Sequence, residues 1–205
     1  MNEVGRNAAE LDGTALSAPV FSHENHGIRF YRFELQIPRL SGQADLLPVL
    51  APEGLAEQVR PGARLHVQGQ LRSFNNKSGR GSRLVLNVYA HAFAPSIGDA
   101  VNRVFLSGIL CKPPVVRRTP LGRNICDLML AVPRRYGRAD YLPAIAWGQL
   151  AAAAGRAAVG DPIRLEGRMQ SRLYTKVSDG VAEEHTAYEV SVMRLLDADE
   201  ESSSS

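Results

Sequence analysis

A chain of 205 residues with 44% hydrophobic content can bury one large core or two small ones, so length alone leaves the domain count open. No run approaches the about 18 consecutive apolar residues of a membrane span, and MNEVGRNAAEL lacks an apolar signal core, so the expectation is a cytoplasmic protein with no membrane attachment. The net charge is only +3, because Asp197, Asp199, Glu200 and Glu201 near the end offset arginines elsewhere; the rest is more basic than the total, which by itself selects no polyanion.

In chain order, residues 1–9 show no apolar periodicity and are expected to be disordered. Five strand-like stretches then follow in residues 10–94: LDGTALSAPV from Leu11, GIRFYRFELQIPR from Gly27, DLLPVLA from Asp45, GARLHVQGQLRS from Gly62 and LVLNVYA from Leu84. At APSIGDA the apolar pattern lapses, giving a linker at 95–101. In residues 102–196 the predicted strands are Arg103 to Cys111, Arg123 to Val132, Asp140 to Trp147, Asp161 to Met169 and Thr186 to Leu196, with a loop over roughly Leu173 to Glu184. The alanines of GQLAAAAGRAA, Gly148 to Ala158, predict a short helix after the third strand, with Gly160 as its stop. Residues 197–205, acidic and then all serine, are expected to be disordered.

The two stretches are one unit written twice. Leu11 corresponds to Leu106, Gly27 to Gly122 and Asp45 to Asp140, a constant offset of 95; Gly62 then matches Gly160 at 98, and Leu84 matches Tyr188 at 104. A period of that size is a small domain rather than a solenoid repeat. Five strands with one helix after the third is the order of the OB-fold, so the predicted class is all-β: two tandem five-stranded Greek-key barrels, each with one short helix. Alternation agrees, with Ile163, Leu165 and Met169 inward and Arg164, Glu166 and Arg168 outward.

In YLPAIAWGQL, alternation puts Tyr141, Ile145 and Trp147 on one face of a strand and Leu142, Ala144 and Ala146 on the other. Rings beside an isoleucine would ordinarily be the buried side. The second unit, however, resembles the bacterial single-stranded DNA-binding protein family through NRVFLSGIL from Asn102, LAVPRRY from Leu130, AIAWGQLA from Ala144 and IRLEGRMQSRLY from Ile163. The resemblance implies four base-stacking positions, all aromatic here: Tyr136, Tyr141, Trp147 and Tyr174. It turns the tryptophan face outward and leaves the small residues to fill the barrel, consistent with exposed rings serving as platforms for bases. Arg134, Arg135, Arg138, Arg168, Arg172 and Lys176 lie close by in sequence as candidate phosphate contacts.

The first unit departs from this pattern. Counting back gives Ser41, Leu46, Pro52 and Asn76 at the four places, and its own rings Phe30, Tyr31, Phe33 and Phe74 are better explained by packing or an interface. Arg72, Phe74, Lys77, Arg80 and Arg83 around FNNKSGRGS form a secondary candidate nucleic-acid contact. The resemblance also implies a homodimer presenting four OB domains, and replication or recombination proteins as partners, although DADEESSSS lacks the apolar tip by which the family docks them.

Catalysis is not expected. His23, Glu24 and His26 make only a weak metal suggestion, GRGS lacks the ending of a phosphate loop, and Cys111 and Cys126 read as reduced, buried thiols. The expected protein has no cofactor and binds single-stranded DNA without sequence preference. The rival readings are a protein–protein assembly module of a replication or mobile-element complex, and an RNA-binding OB protein.

Overall fold

The computed structural model describes residues 6–76, 84–96, 98–178 and 181–197, except the side chains of Lys176 and Ser178. Lys77, Arg80, Arg83, most of the expected N-terminal disorder and the acidic-serine tail beyond Asp197 therefore lie outside the described residues, as does the Lys176 side chain.

Two compact units form, and they do not follow the linear boundary. One is built on Ala9–Asn102 together with Met169–Tyr188; the other on Arg103–Arg168 together with the chain up to Ala8 and from Glu189 onward. The first contains β1 (Asn7–Ala15), β2 (Val20–Asn25), β3 (Ile28–Pro38), β4 (Ala44–Pro52), the one-turn α1 (Glu53–Ala56), β5 (Arg64–Asn75) and β6 (Leu84–Pro95). Strand β1 starts ahead of its expected limit because Ala9 already faces the core beside Leu11. The β2–β3 hairpin turns at His26 and Gly27, both with positive φ, the tight two-residue turn whose twist suits flanking strands.

Closure follows from pairing. β3 pairs antiparallel with β4 and β5 with β6; β6 meets β4 in parallel at Val49 and Val88; β1 then pairs with both β5 and the end of β3. Inside are Leu11, Phe33, Leu35, Ile37, Leu47, Val49, Val67, Leu71, Leu86 and Val88.

The second barrel repeats this with β7 (Asn102–Leu110), β8 (Val115–Arg118), β9 (Asn124–Pro133), β10 (Ala139–Trp147), α2 (Gln149–Ala154), β11 (Pro162–Ser178) and β12 (Val181–Leu195). β9 and β10 pair antiparallel, β10 and β12 in parallel at Ala144 and Val190, and β7 pairs with both β9 and β11. The all-β tandem OB expectation is thus met.

Two glycine pairs record the duplication in three dimensions. A Cβ on Gly13 would lie 2.6 Å from the Gln36 carbonyl oxygen, and one on Gly108 2.7 Å from that of Ala131. Likewise Gly69 would meet the Tyr89 carbonyl at 2.4 Å and Gly167 that of Ser191 at 2.5 Å. Only glycine lets the backbones cross so closely. The second pair also corrects the sequence match of the last strand. Tyr89 corresponds to Ser191, and Val88 to Val190 through the parallel ladders, an offset of 102 rather than 104. A two-residue slip keeps every side chain on its own face, so alternation could not detect it.

Other differences have local causes. The expected loop over Leu173 to Glu184 is mostly strand, since β11 continues to Ser178 and β12 begins at Val181. That ribbon is polar or exposed along most of its length, so it carries no core pattern to read. Helix α2 stops at Ala154, not near Gly160: Gly155, still in helical geometry, sits where a Cβ would come 2.5 Å from the Val116 side chain. Gly160, at φ +99°, serves instead the turn into β11, donating its N–H to the Leu110 carbonyl at 2.9 Å.

Candidate nucleic-acid interface

Strand β10 settles which face of the YLPAIAWGQL stretch is core. Leu142, Ala144 and Ala146 are buried, while Tyr141 is 49% and Trp147 36% exposed. The outward row is not uniformly open, however. Ile145 between them is only 4% exposed, a departure from the simple alternation. Small inward residues leave room for Leu128, Leu130 and Leu165 in a narrow barrel, which is why the large rings are turned out.

Tyr136 is 96% exposed, at the centre of a short 3₁₀ turn, Arg135–Gly137, between β9 and β10. Its backbone is left-handed (φ 63°, ψ 36°), a conformation that costs a non-glycine residue about 1 kcal/mol and persists when its surroundings enforce it. The enforcement is visible at the neck of the turn. Arg134 N–H donates to the Arg138 carbonyl at 2.7 Å, and the Arg134 guanidinium forks onto the fully buried carboxylate of Asp140, Nε to Oδ2 at 2.5 Å and Nη2 to Oδ1.

The same brace exists in the first barrel. Arg39 N–H donates to the Gln43 carbonyl at 2.7 Å, and the Arg39 guanidinium forks onto buried Asp45, Nε to Oδ2 at 2.7 Å, where hydrogen bonding to the carboxylate raises the pKa of Arg39. The shared sequence is Pro-Arg-x-x-Gly-x-Ala-Asp at 38–45 and 133–140. Arg134, selected from sequence as a phosphate contact, is therefore engaged with Asp140. Arg135 and Arg138 are the exposed guanidiniums of this turn. Arg168, on the outward row of β11, is half-buried, and its Nε has no hydrogen-bond partner among the described residues.

Tyr136, Tyr141, Trp147, Arg135, Arg138 and Arg168 thus share one compact unit, whereas Arg172, Tyr174 and Lys176 lie on the part of β11 that belongs to the other. There Tyr174 is half-buried, stacked on His185 with ring centres 5.6 Å apart, and the Arg172 guanidinium lies 5.9 Å from its ring centre.

This ribbon, Met169–Tyr188, lies against the first barrel where the matched stacking positions would be. Ser171 N–H donates to Asp45 Oδ1 at 2.8 Å, Leu46 N–H donates to Ser171 Oγ at 3.1 Å, and Arg39 donates to the Ser171 carbonyl at 3.1 Å. Burial against Arg32 and Glu34 raises the Tyr188 hydroxyl pKa, Glu34 adding to the rise and Arg32 opposing it. Leu46, the counterpart of Tyr141, therefore stands beside a latch. Nothing in QSRLY announced it; the one sequence signal was a carboxylate, Asp45, opening an otherwise apolar strand.

Elsewhere in the first barrel, Phe30 is buried and Tyr31 half-buried, with the Tyr31 hydroxyl donating to Glu53 at 2.9 Å, a bond that raises its pKa. Of the secondary candidates, Phe74 is exposed and Arg72 donates to Gln70 Oε1 at 2.6 Å. Among the described residues no cluster of three His, Cys, Asp or Glu could hold a metal, and no helix is long and apolar enough to cross a membrane. Cys111 and Cys126 are free thiols, and burial raises the pKa of Cys126.

The fold and this face define a tandem OB-fold protein whose second barrel turns rings and guanidiniums outward. Residues 101–196, which span the second barrel, match the single-strand binding protein family. The chain is 36% identical over 88 residues to the single-stranded DNA-binding protein of Thermus thermophilus, a match covering 41% of this chain and 34% of the relative, so it spans about a third of that curated relative's length. The crystal structure of the wild-type single-stranded DNA binding protein from Thermus aquaticus is similar over 94% of this chain and 93% of that one, with TM-score 0.72 and 26% identity. A deletion mutant of the same protein matches over 94% of both chains with TM-score 0.73.

Proposed function

We propose that this protein binds single-stranded DNA without sequence preference, and that the second barrel is its principal platform. The carrying observation is the outward Tyr141 and Trp147 on β10 with the fully exposed Tyr136 beside Arg135 and Arg138. Rings offer a π-face to any base at about 1–3 kcal/mol each, and guanidiniums supply a salt-dependent phosphate term, so the surface is sequence-tolerant by construction. This is a binding surface rather than a catalytic one. Protection of exposed strands in replication, recombination or repair, in the cytoplasm and near the nucleoid, is the role such binding would serve, and the family resemblance adds pairing of two chains into a dimer with four barrels.

Anisotropy of a labelled oligo(dT), competed with duplex DNA and with oligo(rU), tests the reading. Single-stranded DNA competing at far lower concentration than duplex supports it. Equal competition by duplex overturns it, and preference for oligo(rU) makes RNA the ligand.

A further inference from the structure

The first barrel has rings on its outer face, but on different strands from those of the second. In β10 the outward Trp147 stands opposite Ile125 of β9; at the matching place in the first barrel Pro52 stands opposite Phe30. The aromatic group has moved one strand across the same face. Around Phe30 a row continues: His23 stacks on it at 5.1 Å and 20°, Tyr89 lies 5.8 Å away, His91 lies 5.9 Å beyond Tyr89, and the Arg72 guanidinium sits 5.7 Å from the Tyr89 ring centre.

This row runs from the core outward. Leu86, Val88 and Ala90 take the inward positions of β6, and exposure rises along the row from Phe30 at 6% through half-buried Tyr89 to exposed His91. Burial and the neighbouring Arg72 hold His91 below the usual imidazole range, so at neutral pH it offers an uncharged ring. The register places Arg117, Ile125, Ser191 and Met193 at the equivalent positions of the second barrel, none aromatic. The two barrels are reciprocal: where one carries rings the other does not. In the first, Ser171 is bonded to Asp45 and to the backbone of Leu46, the counterpart of Tyr141, whereas the ring row lies on β2, β3 and β6.

We propose that Tyr89 and His91, floored by Phe30 and flanked by Arg72, form a second stacking site for unpaired nucleobases on the first barrel. The inference rests on the nucleic-acid reading above. It differs from the sequence-selected contact around Phe74 and Lys77 in resting on rings rather than on a basic turn.

Ultraviolet crosslinking of the full-length chain to an iodouridine-substituted oligo(dT), mapped by mass spectrometry, decides it. Adducts on the peptide holding Tyr89 and His91, besides adducts on that holding Tyr141 and Trp147, are expected. Adducts on the second-barrel peptide alone overturn the second site and leave the first reading standing; adducts on neither overturn both. A Tyr89→Ala, His91→Ala double variant is expected to melt as the parent does and bind a long oligo(dT) roughly tenfold more weakly. Parental melting with parental affinity overturns the proposal, and if the variant fails to fold, the crosslinking on the unaltered chain still decides.

Discussion

The two barrels share strand order, close-crossing glycines and an arginine–aspartate brace, yet differ at each matched stacking position. Tyr136, Tyr141 and Trp147 of the second are Ser41, Leu46 and Pro52 of the first. The features kept are those a closed barrel requires: backbones crossing at Gly13 and Gly108, and a buried carboxylate neutralised by a fork. Of the positions that differ, Leu46 stands where the ribbon latches the first barrel. Duplication thus preserves what makes the barrel and frees what the barrel presents.

The brace gives the largest expected effect. Replacing Arg134 or Arg39 by alanine leaves a buried carboxylate without its cation, which costs about 3–5 kcal/mol in either barrel. Denaturant unfolding checks this; a loss below about 1 kcal/mol in both would mean the brace is incidental. The comparison also sharpens in affinity. Trp147→Ala is expected to weaken oligo(dT) binding by about 1–3 kcal/mol, whereas Pro52→Ala at the matched place changes it little, as titration calorimetry would read.

A smaller effect isolates the latch. Ser171→Ala removes the hydroxyl that accepts from Leu46 N–H, while the Ser171 N–H to Asp45 bond persists. About 1 kcal/mol of stability should go, with oligo(dT) affinity unchanged. The smallest effect separates exposed from engaged guanidiniums. Arg138→Ala should lower the slope of log affinity against log salt by about 0.7, and Arg134→Lys, which keeps the charge but not the fork, should leave that slope as it was. Equal slope changes in both would put Arg134 on the phosphates.

Much of this was legible in sequence because a core imposes periodicity. The repeat, the five strands per unit and the inward run of Leu142, Ala144 and Ala146 follow from alternation and from residue size. What escaped lies where periodicity carries no information. The polar β11–β12 ribbon has no buried face to pattern its distal part, a two-residue slip of β12 preserves parity, and the closeness of Val116, on a distant strand, to Gly155 at the helix end leaves no mark in the local sequence. The role of Arg134 was hidden for a different reason. Six residues from Asp140, it reads as one more cation beside Tyr136 until the turn folds the two together.

The account stands most directly on the emission of Trp147, the sole indole of the chain. Titration with oligo(dT) at low salt should quench it saturably, with a midpoint that moves to higher oligonucleotide concentration as salt is raised. Emission unchanged while the labelled oligonucleotide is demonstrably bound would show that bases do not stack on β10, and would contradict the assignment of the second barrel as the platform.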